Sequence, residues 1–168
     1  SPDGRRLAFI PLARLYIMDY PGATPQRVTT ENAVEYAPAW SPDGEWLAYV
    51  TWSDAQGEGH VNKVRPAAGS RPVRISNTPA LYTAPVFNID GSRIVVTRSS
   101  AESYLDETTR GGAEFVWFPA AGGAATFMTA TSGFSMAFRR PARYRGPPRP
   151  ARRPRSAPAP PRSRGHEA

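Results

Sequence analysis

Short apolar runs alternate with tight-turn residues along most of the chain. A representative run, 47–50, is apolar and aromatic and follows Pro42, Asp43 and Gly44. Pro presets φ at about −65° in the second turn position and Gly tolerates positive φ, so this triplet predicts a chain reversal. Short aromatic and β-branched runs beside such turns are typical of strands. The stretch 37–50 therefore predicts a β-hairpin.

The hairpin pattern occurs three times at regular spacing. Intervals of 40 and 47 residues separate the turn glycines, which are Gly4, Gly44 and Gly91. Intervals of 47 and 53 residues separate later apolar positions, which are Val28, Ile75 and Met128. The two sets of intervals differ by 7 and 6 residues, and these differences fall in one connection, next to the second strand of each copy. We therefore expect variable connections at 11–14, 52–60 and 99–113, because repeat folds vary in length at loops.

The repeat predicts an all-β fold. The predicted strands cover 7–10, 15–18 and 26–29 in the first copy, 37–40, 47–50 and 72–76 in the second, and 84–87, 93–97, 115–118 and 126–129 in the third. A period in the forties with up to four strands per copy is typical of a β-propeller blade. A sandwich has no reason to repeat its sequence. We predict a partial β-propeller at 1–138, with about three four-stranded blades at 1–33, 34–80 and 81–131.

The segment 37–49 carries a family resemblance. Its sequence, Ala-Pro-Ala-Trp-Ser-Pro-Asp-Gly-Glu-Trp-Leu-Ala-Tyr, resembles the WD-like (PD40) repeat of TolB-type propellers. The resemblance implies a ring of six or more blades, so three blades would not close alone. The chain opens inside a turn at Ser1–Gly4, and we expect it to be truncated there.

The resemblance also implies a function and a location. It implies a non-catalytic scaffold for a protein or peptide partner, or for the missing blades of a longer chain, in a periplasmic or secreted protein. The run 49–52 with the segment 59–69 is similar to the propellers of large secreted amidohydrolases. The alternative is therefore an accessory propeller of a metal-dependent amidohydrolase or peptidase whose catalytic domain lies outside this chain.

Charge separates the predicted propeller from the end of the chain. Residues 1–138 have a net charge of −2, which argues against nucleic acid as a partner of the propeller, whereas 139–168 contain ten Arg and eight Pro. That tail lacks the apolar content to offset ordering entropy, so we predict disorder. It is either an arm that binds anionic polymers or a segment that did not evolve as protein, since it begins where a fourth blade is due. The Arg-rich, Lys-poor composition favours the second interpretation.

Several kinds of chemistry are excluded or disfavoured by residue type. The chain has no Cys, which removes disulfides and thiolate metal sites, and no apolar run long enough to span a membrane. Its two His, His60 and His166, are too few for the usual metal-hydrolase ligands. The segment 133–137 approaches a Gly-x-Ser-x-Gly nucleophile motif but lacks an Asp downstream. We predict no catalytic residue, metal site or cofactor.

Two sets of residues remain as candidates for a role. The first set is structural and stabilises the repeated turns, because single carboxylates in separate blades cannot surround one calcium ion; it comprises Asp3, Gly4, Asp43, Gly44, Asp90 and Gly91. The second set is a predicted interaction loop in the middle copy and comprises Trp52, Asp54, Glu58 and His60. His60 with Glu58 could supply metal ligands, but a lone loop His is more often a surface or strand-end residue.

Overall fold

The computed structural model describes residues 1–100 and 112–130, which form three antiparallel sheets. The first sheet has the order β1-β2-β3 and contains Arg6–Phe9, Tyr16–Asp19 and Gln26–Arg27. The middle sheet has the order β4-β5-β6-β7 and contains Val34–Trp40, Leu47–Ser53, Glu58–Val64 and Val73–Arg74. The third sheet has the order β8-β9-β10-β11 and contains Leu81–Phe87, Arg93–Ser99, Glu114–Pro119 and Thr126–Ala130. A short 3₁₀ helix, Pro11–Ala13, joins β1 to β2.

The middle sheet is buried on both faces because its central strand alternates two sets of apolar side chains. In β5, Leu47 and Tyr49 belong to a core cluster shared with the first sheet. Ala48 and Val50 belong to the cluster shared with the third sheet. Successive side chains of a strand point to opposite faces, so this four-residue apolar run serves two cores. The sheets therefore pack face to face in chain order.

The two cores differ in size and in aromatic content. The core between the first and middle sheets is formed by Leu15, Ile17, Val28, Leu47, Tyr49 and Val64. The core between the middle and third sheets is formed by Ala48, Val50, Val61, Ile75, Tyr82, Ile94, Val96, Val116 and Phe118. In the second core the rings of Tyr82 and Phe118 meet edge to face, with centroids 5.7 Å apart. Burying each large apolar side chain contributes about 1.5–3 kcal/mol.

The repeated turns share one hydrogen-bond pattern. The Asp43 carboxylate accepts hydrogen bonds from the Ser41 hydroxyl at 2.5 Å and the Glu45 amide at 2.9 Å, and these bonds lower the pKa of Asp43. Asp3 and Asp90 accept the corresponding amide bonds at 3.1 and 2.8 Å. Each turn ends at a glycine with φ between 70° and 72°. A residue with a side chain would be strained there.

The turns of neighbouring sheets also touch. The Pro2 ring lies 3.6 Å from the point where a Cβ would stand on Gly44. The Pro42 ring lies 3.7 Å from the same point on Gly91. The first and second turns therefore each place their second residue over the glycine of the next turn. Turn geometry and sheet stacking are linked through this contact.

Cation–π pairs lie at equivalent positions in two sheets, but the position that supplies the ring in one sheet supplies the cation in the other. In the middle sheet, Lys63 on β6 lies over the ring of Trp46, which precedes β5, at 4.2 Å. In the third sheet, Arg93 on β9 lies over the ring of Trp117 on β10 at 4.3 Å. The strand registers make Trp46 equivalent to Arg93 and Lys63 equivalent to Trp117. The repeat thus conserves the interaction while exchanging the residue types.

The predicted fold class is confirmed, with two local differences. The first sheet has three strands, because the first turn begins at Ser1 and no described residue supplies the equivalent of β4 and β8. The predicted loop 52–60 is mostly strand, since β5 and β6 extend to a short turn at 54–57. The predicted interval of 53 residues holds between β7 and β11, where Arg74 is equivalent to Phe127, while β6 and β10 are 54 residues apart. Much of the predicted connection 99–113, the near-motif 133–137 and the tail 139–168 lie outside the described residues.

Candidate functional site

The turn between β5 and β6 is fixed by short-range hydrogen bonds. The indole Nε1 of Trp52 donates to Asp54 Oδ1 at 2.7 Å, and the Gly57 amide donates to the Ser53 carbonyl at 2.8 Å. Trp52 is almost fully buried, whereas Asp54 lies at the exposed tip. The structure thus brings together two of the four predicted interaction residues. Trp52 supports the turn and leaves Asp54 as the accessible member of the pair.

Gly59 is the point where this hairpin meets the chain that leads into β8. A Cβ on Gly59 would stand 2.3 Å from the Thr51 carbonyl oxygen and 3.0 Å from that of Ala80. The Ala80 amide donates to the Gly59 carbonyl at 3.1 Å. Only glycine permits this close backbone approach. Gly59 therefore joins the hairpin of the middle sheet to the start of the third sheet.

His60 is held by the interior of its own sheet. Its Nδ1 lies 3.0 Å from the Ser76 hydroxyl, which also accepts a hydrogen bond from the Val61 amide at 3.1 Å. Burial lowers the pKa of His60, and the Arg74 charge lowers it further, while Glu58 opposes both. Because Ser76 Oγ already accepts from Val61, its hydroxyl proton is available to Nδ1. This arrangement favours neutral His60 with its own proton on Nε2.

An open cleft of about 350 Å³ lies beside Ala80, between the segment that leads into β8 and the ends of β9 and β10. We call it the connection cleft, and its described lining is Thr78, Pro79, Ala80, Arg98, Ser99, Ser100, Gly112 and Glu114. Arg98 and Glu114 form a half-buried ion pair on its wall, with Nη2 at 2.5 Å and Nε at 2.6 Å from Glu114 Oε1. The cleft therefore combines hydroxyl groups, a neutralised ion pair and apolar surface.

The cleft residues were not predicted from the sequence. Arg98 and Glu114 face each other across β9 and β10, and they flank the predicted variable connection. An opposite-charge pair bracketing that segment was the signal that could have identified them. Within 1–100 and 112–130, no group of three or more His, Cys, Asp or Glu side chains could hold a metal ion. No helix in those ranges is long and apolar enough to cross a membrane.

Comparison with known proteins gives relatives of part of the chain. No protein-family model matches it. Curated relatives include the Tol-Pal system protein TolB of Desulfosudis oleivorans, 39% identical over 51 residues, and that of Alcanivorax borkumensis, 32% identical over 90 residues. The matches cover 28% and 52% of the chain but only 12% and 20% of these relatives. The chain thus spans a small part of their length.

Solved structures share the arrangement of sheets. Putative TolB from Agrobacterium tumefaciens has a TM-score of 0.62 at 21% identity, covering 77% of this chain and 47% of that one. TolB from Acinetobacter baumannii has a TM-score of 0.56 at 18% identity, covering 76% and 30%. An oligogalacturonate lyase in complex with manganese has a TM-score of 0.58 at 18% identity, covering 77% and 38%. At these identities the likeness shows the fold alone.

The relatives and the three sheets agree with the resemblance found in 37–49. The two curated relatives named above are TolB proteins, and two of the structural neighbours are TolB structures. The prediction of a TolB-like β-propeller is therefore confirmed. The finer similarity to amidohydrolase propellers stays a prediction.

Proposed function

We propose that this TolB-like partial β-propeller is a non-catalytic scaffold that binds a protein or peptide partner at the connection cleft. The observation that carries the proposal is the convergence of two strand connections on one cleft. The connection between β7 and β8 lines it with Thr78, Pro79 and Ala80, and the ends of β9 and β10 form its wall. Loops displayed by a rigid array of sheets are a common place for recognition.

The lining of the cleft suits a short, mostly polar peptide segment. Thr78, Ser99 and Ser100 carry hydroxyl groups at its surface, and Pro79 and Ala80 supply apolar contact. The Arg98–Glu114 ion pair leaves little net charge on this wall. A strongly charged ligand would have to disrupt that pair. A neutral extended peptide can exchange hydrogen bonds with the lining at lower desolvation cost.

Peptide selection tests this proposal. The whole chain would be immobilised and used to enrich a phage-displayed random peptide library, and binding of the enriched peptides would be measured by isothermal titration calorimetry. Replacing Arg98 and Glu114 together by Ala should weaken binding about tenfold, which corresponds to about 1.4 kcal/mol. Replacing both members avoids leaving one charge unpaired.

A matched control comes from another charged pair, which lies within the described part of the chain. Arg65 and Glu45 form an ion pair at 2.7 Å near the repeated turn, away from the lining of the connection cleft. Its double Ala variant should bind the selected peptides as tightly as the unmodified chain. Failure to enrich any peptide, or equal weakening by both double variants, would contradict the proposal.

We also propose that the protein functions in the periplasm or after secretion. The support is the likeness to proteins named for the Tol-Pal system, together with the family resemblance. An antibody raised against this chain would detect the protein in fractions of the source cells. It should occur in the periplasmic or culture fraction. Recovery in the cytosolic fraction alone would contradict this localisation.

A further inference from the structure

The outer faces of the first and third sheets are apolar and uncovered by any described residue. On the first sheet, Leu7 is 45% exposed. On the third sheet, Phe115 is 37% exposed, Met128 52% and Val86 58%. At equivalent positions that a neighbouring sheet covers, Leu47, Val61 and Ile75 are at most 1% exposed. The two faces therefore resemble halves of a sheet-to-sheet junction that lacks its partner.

The strand register defines both faces. The head face of the first sheet is formed by Leu7, Phe9, Tyr16 and Met18, which are equivalent to Ile94, Val96, Val116 and Phe118 in the third sheet. The tail face of the third sheet is formed by Val86, Val95, Phe115 and Met128, which are equivalent to Ala39, Ala48, Val61 and Ile75 in the middle sheet. In the middle-to-third junction, residues of these two kinds pack directly together. Each free face thus has its natural complement on the same chain.

The repeated turns supply a second match. Inside the molecule, Pro2 covers Gly44 and Pro42 covers Gly91. The third turn has Ile89 in the position of the proline, and Ile89 is 95% exposed. At the other end, Gly4 has no atom within 4 Å of the point where a Cβ would stand. Gly4 on the first sheet is therefore left without a covering side chain, and Ile89 on the third sheet is left without a glycine to cover.

We propose that copies of this chain associate head to tail, with the tail face of one copy packed on the head face of the next. Ile89 of one copy then covers Gly4 of the other, and Phe115 and Met128 pack against Leu7 and Phe9. The contact is heterologous, so it closes into a ring or continues as an open assembly according to the rotation it imposes.

Complementation between two variants tests the head-to-tail geometry. The mass in solution would be measured by analytical ultracentrifugation over a wide concentration range, where the unmodified chain should form species of two or more copies. Leu7→Glu on the head face and Phe115→Glu on the tail face should each reduce the chain to a single copy. An equimolar mixture should restore a two-copy species, because one intact tail meets one intact head. Leu12→Glu is the matched control, since Leu12 is 96% exposed and lies on neither face.

Cysteine cross-linking tests the register of the same contact. The chain has no native Cys, so a disulfide can form only at introduced sites. A mixture of Arg5→Cys and Ile89→Cys chains should give a covalent dimer under mild oxidation, whereas Leu12→Cys mixed with Ile89→Cys should not. Circular dichroism of every variant would establish that the sheets are intact.

Three outcomes would overturn the proposal. The first is a single-copy mass for the unmodified chain at every concentration. The second is association that Phe115→Glu leaves intact while Leu7→Glu abolishes it, which would indicate head-to-head pairing. The third is a mixture of the two variants that stays single-copy although each variant is folded.

Discussion

The two junctions between sheets satisfy equivalent backbone amides with different hydrogen-bond acceptors. The amides of Leu15 and Val61 occupy equivalent positions, because their carbonyls accept from Val28 and Ile75 at 2.9 and 2.8 Å. In the first junction the Leu15 amide donates to Glu35 Oε2 at 2.6 Å, and Glu35 belongs to the neighbouring sheet. In the second junction the Val61 amide donates to Ser76 of its own sheet at 3.1 Å. Only the first junction thus joins two sheets through a buried carboxylate.

The residue equivalent to Glu35 in the third sheet is aromatic rather than acidic. Register places Tyr82 in the third sheet where Glu35 lies in the middle sheet. The Tyr82 ring packs on Phe118, and its hydroxyl donates to the Thr78 carbonyl at 2.9 Å. The first junction is therefore bridged by a polar group and the second is packed by aromatic rings. The repeat conserves backbone geometry while the chemistry of each junction changes.

Removing the aromatic ring from the second junction should have the largest effect on stability. Tyr82→Ala deletes a buried side chain and its contact with Phe118, so we expect a loss of about 3–5 kcal/mol in the free energy of unfolding. Tyr82→Phe keeps the ring and should cost only about 1 kcal/mol for the lost hydrogen bond. Urea denaturation followed by tryptophan fluorescence measures both. Equal losses for the two variants would show that the hydroxyl, rather than the ring, stabilises the junction.

Removing the carboxylate from the first junction should have the next largest effect. Glu35 accepts from the Leu15 amide and from the Thr29 hydroxyl, each at 2.6 Å, and all three groups are buried. Glu35→Ala leaves two buried donors without an acceptor, at about 1–3 kcal/mol each. Glu35→Gln retains one acceptor oxygen and should lose about half as much. The same urea titration measures both variants. An unchanged free energy of unfolding in Glu35→Ala would contradict the proposed bridge.

The contrast between the junctions also explains what could be predicted from sequence. Turn residues and strand runs are local, so the repeat, its turns and the matching positions of Trp40 and Phe87 follow from spacing alone. Glu35 obtains its partners from another copy of the repeat, which no local pattern reveals. Gly59 resembles a loop residue in sequence but lies in β6. Two backbone carbonyls leave no room for a side chain there, so the position requires glycine. Long-range packing determined the features that the sequence did not indicate.

A pH effect should be smaller and should come from His60 in the middle sheet. His60 has a pKa below its ordinary value of 6.5, chiefly through burial, so the folded state favours neutral His60. The unfolded chain binds the proton more readily. The stability contributed by neutral His60 is therefore present above about pH 6.5 and is lost as the pH falls through the folded-state pKa. Urea midpoints measured on both sides of this window should decrease on acidification.

His60→Gln provides the control for this pH effect. Gln lacks a titrating group in the window, so the urea midpoint of the variant should change less than that of the unmodified chain. The carboxylates of Asp3, Asp43 and Asp90 titrate below the ordinary value of 3.8 and do not interfere. An unchanged pH dependence in His60→Gln would assign the effect to another group.

The smallest effect is expected from the Tyr49 hydroxyl, in the first junction. This hydroxyl is buried and has no hydrogen-bond partner among the described residues. Burial raises the pKa of Tyr49, and the Glu35 charge raises it further. Tyr49→Phe removes an unsatisfied polar group and keeps the ring in the core, so stability should stay within about 1 kcal/mol or increase. A loss greater than this would mean that the hydroxyl contributes to the Glu35 bridge, and the double variant with Glu35→Gln would then show non-additive losses.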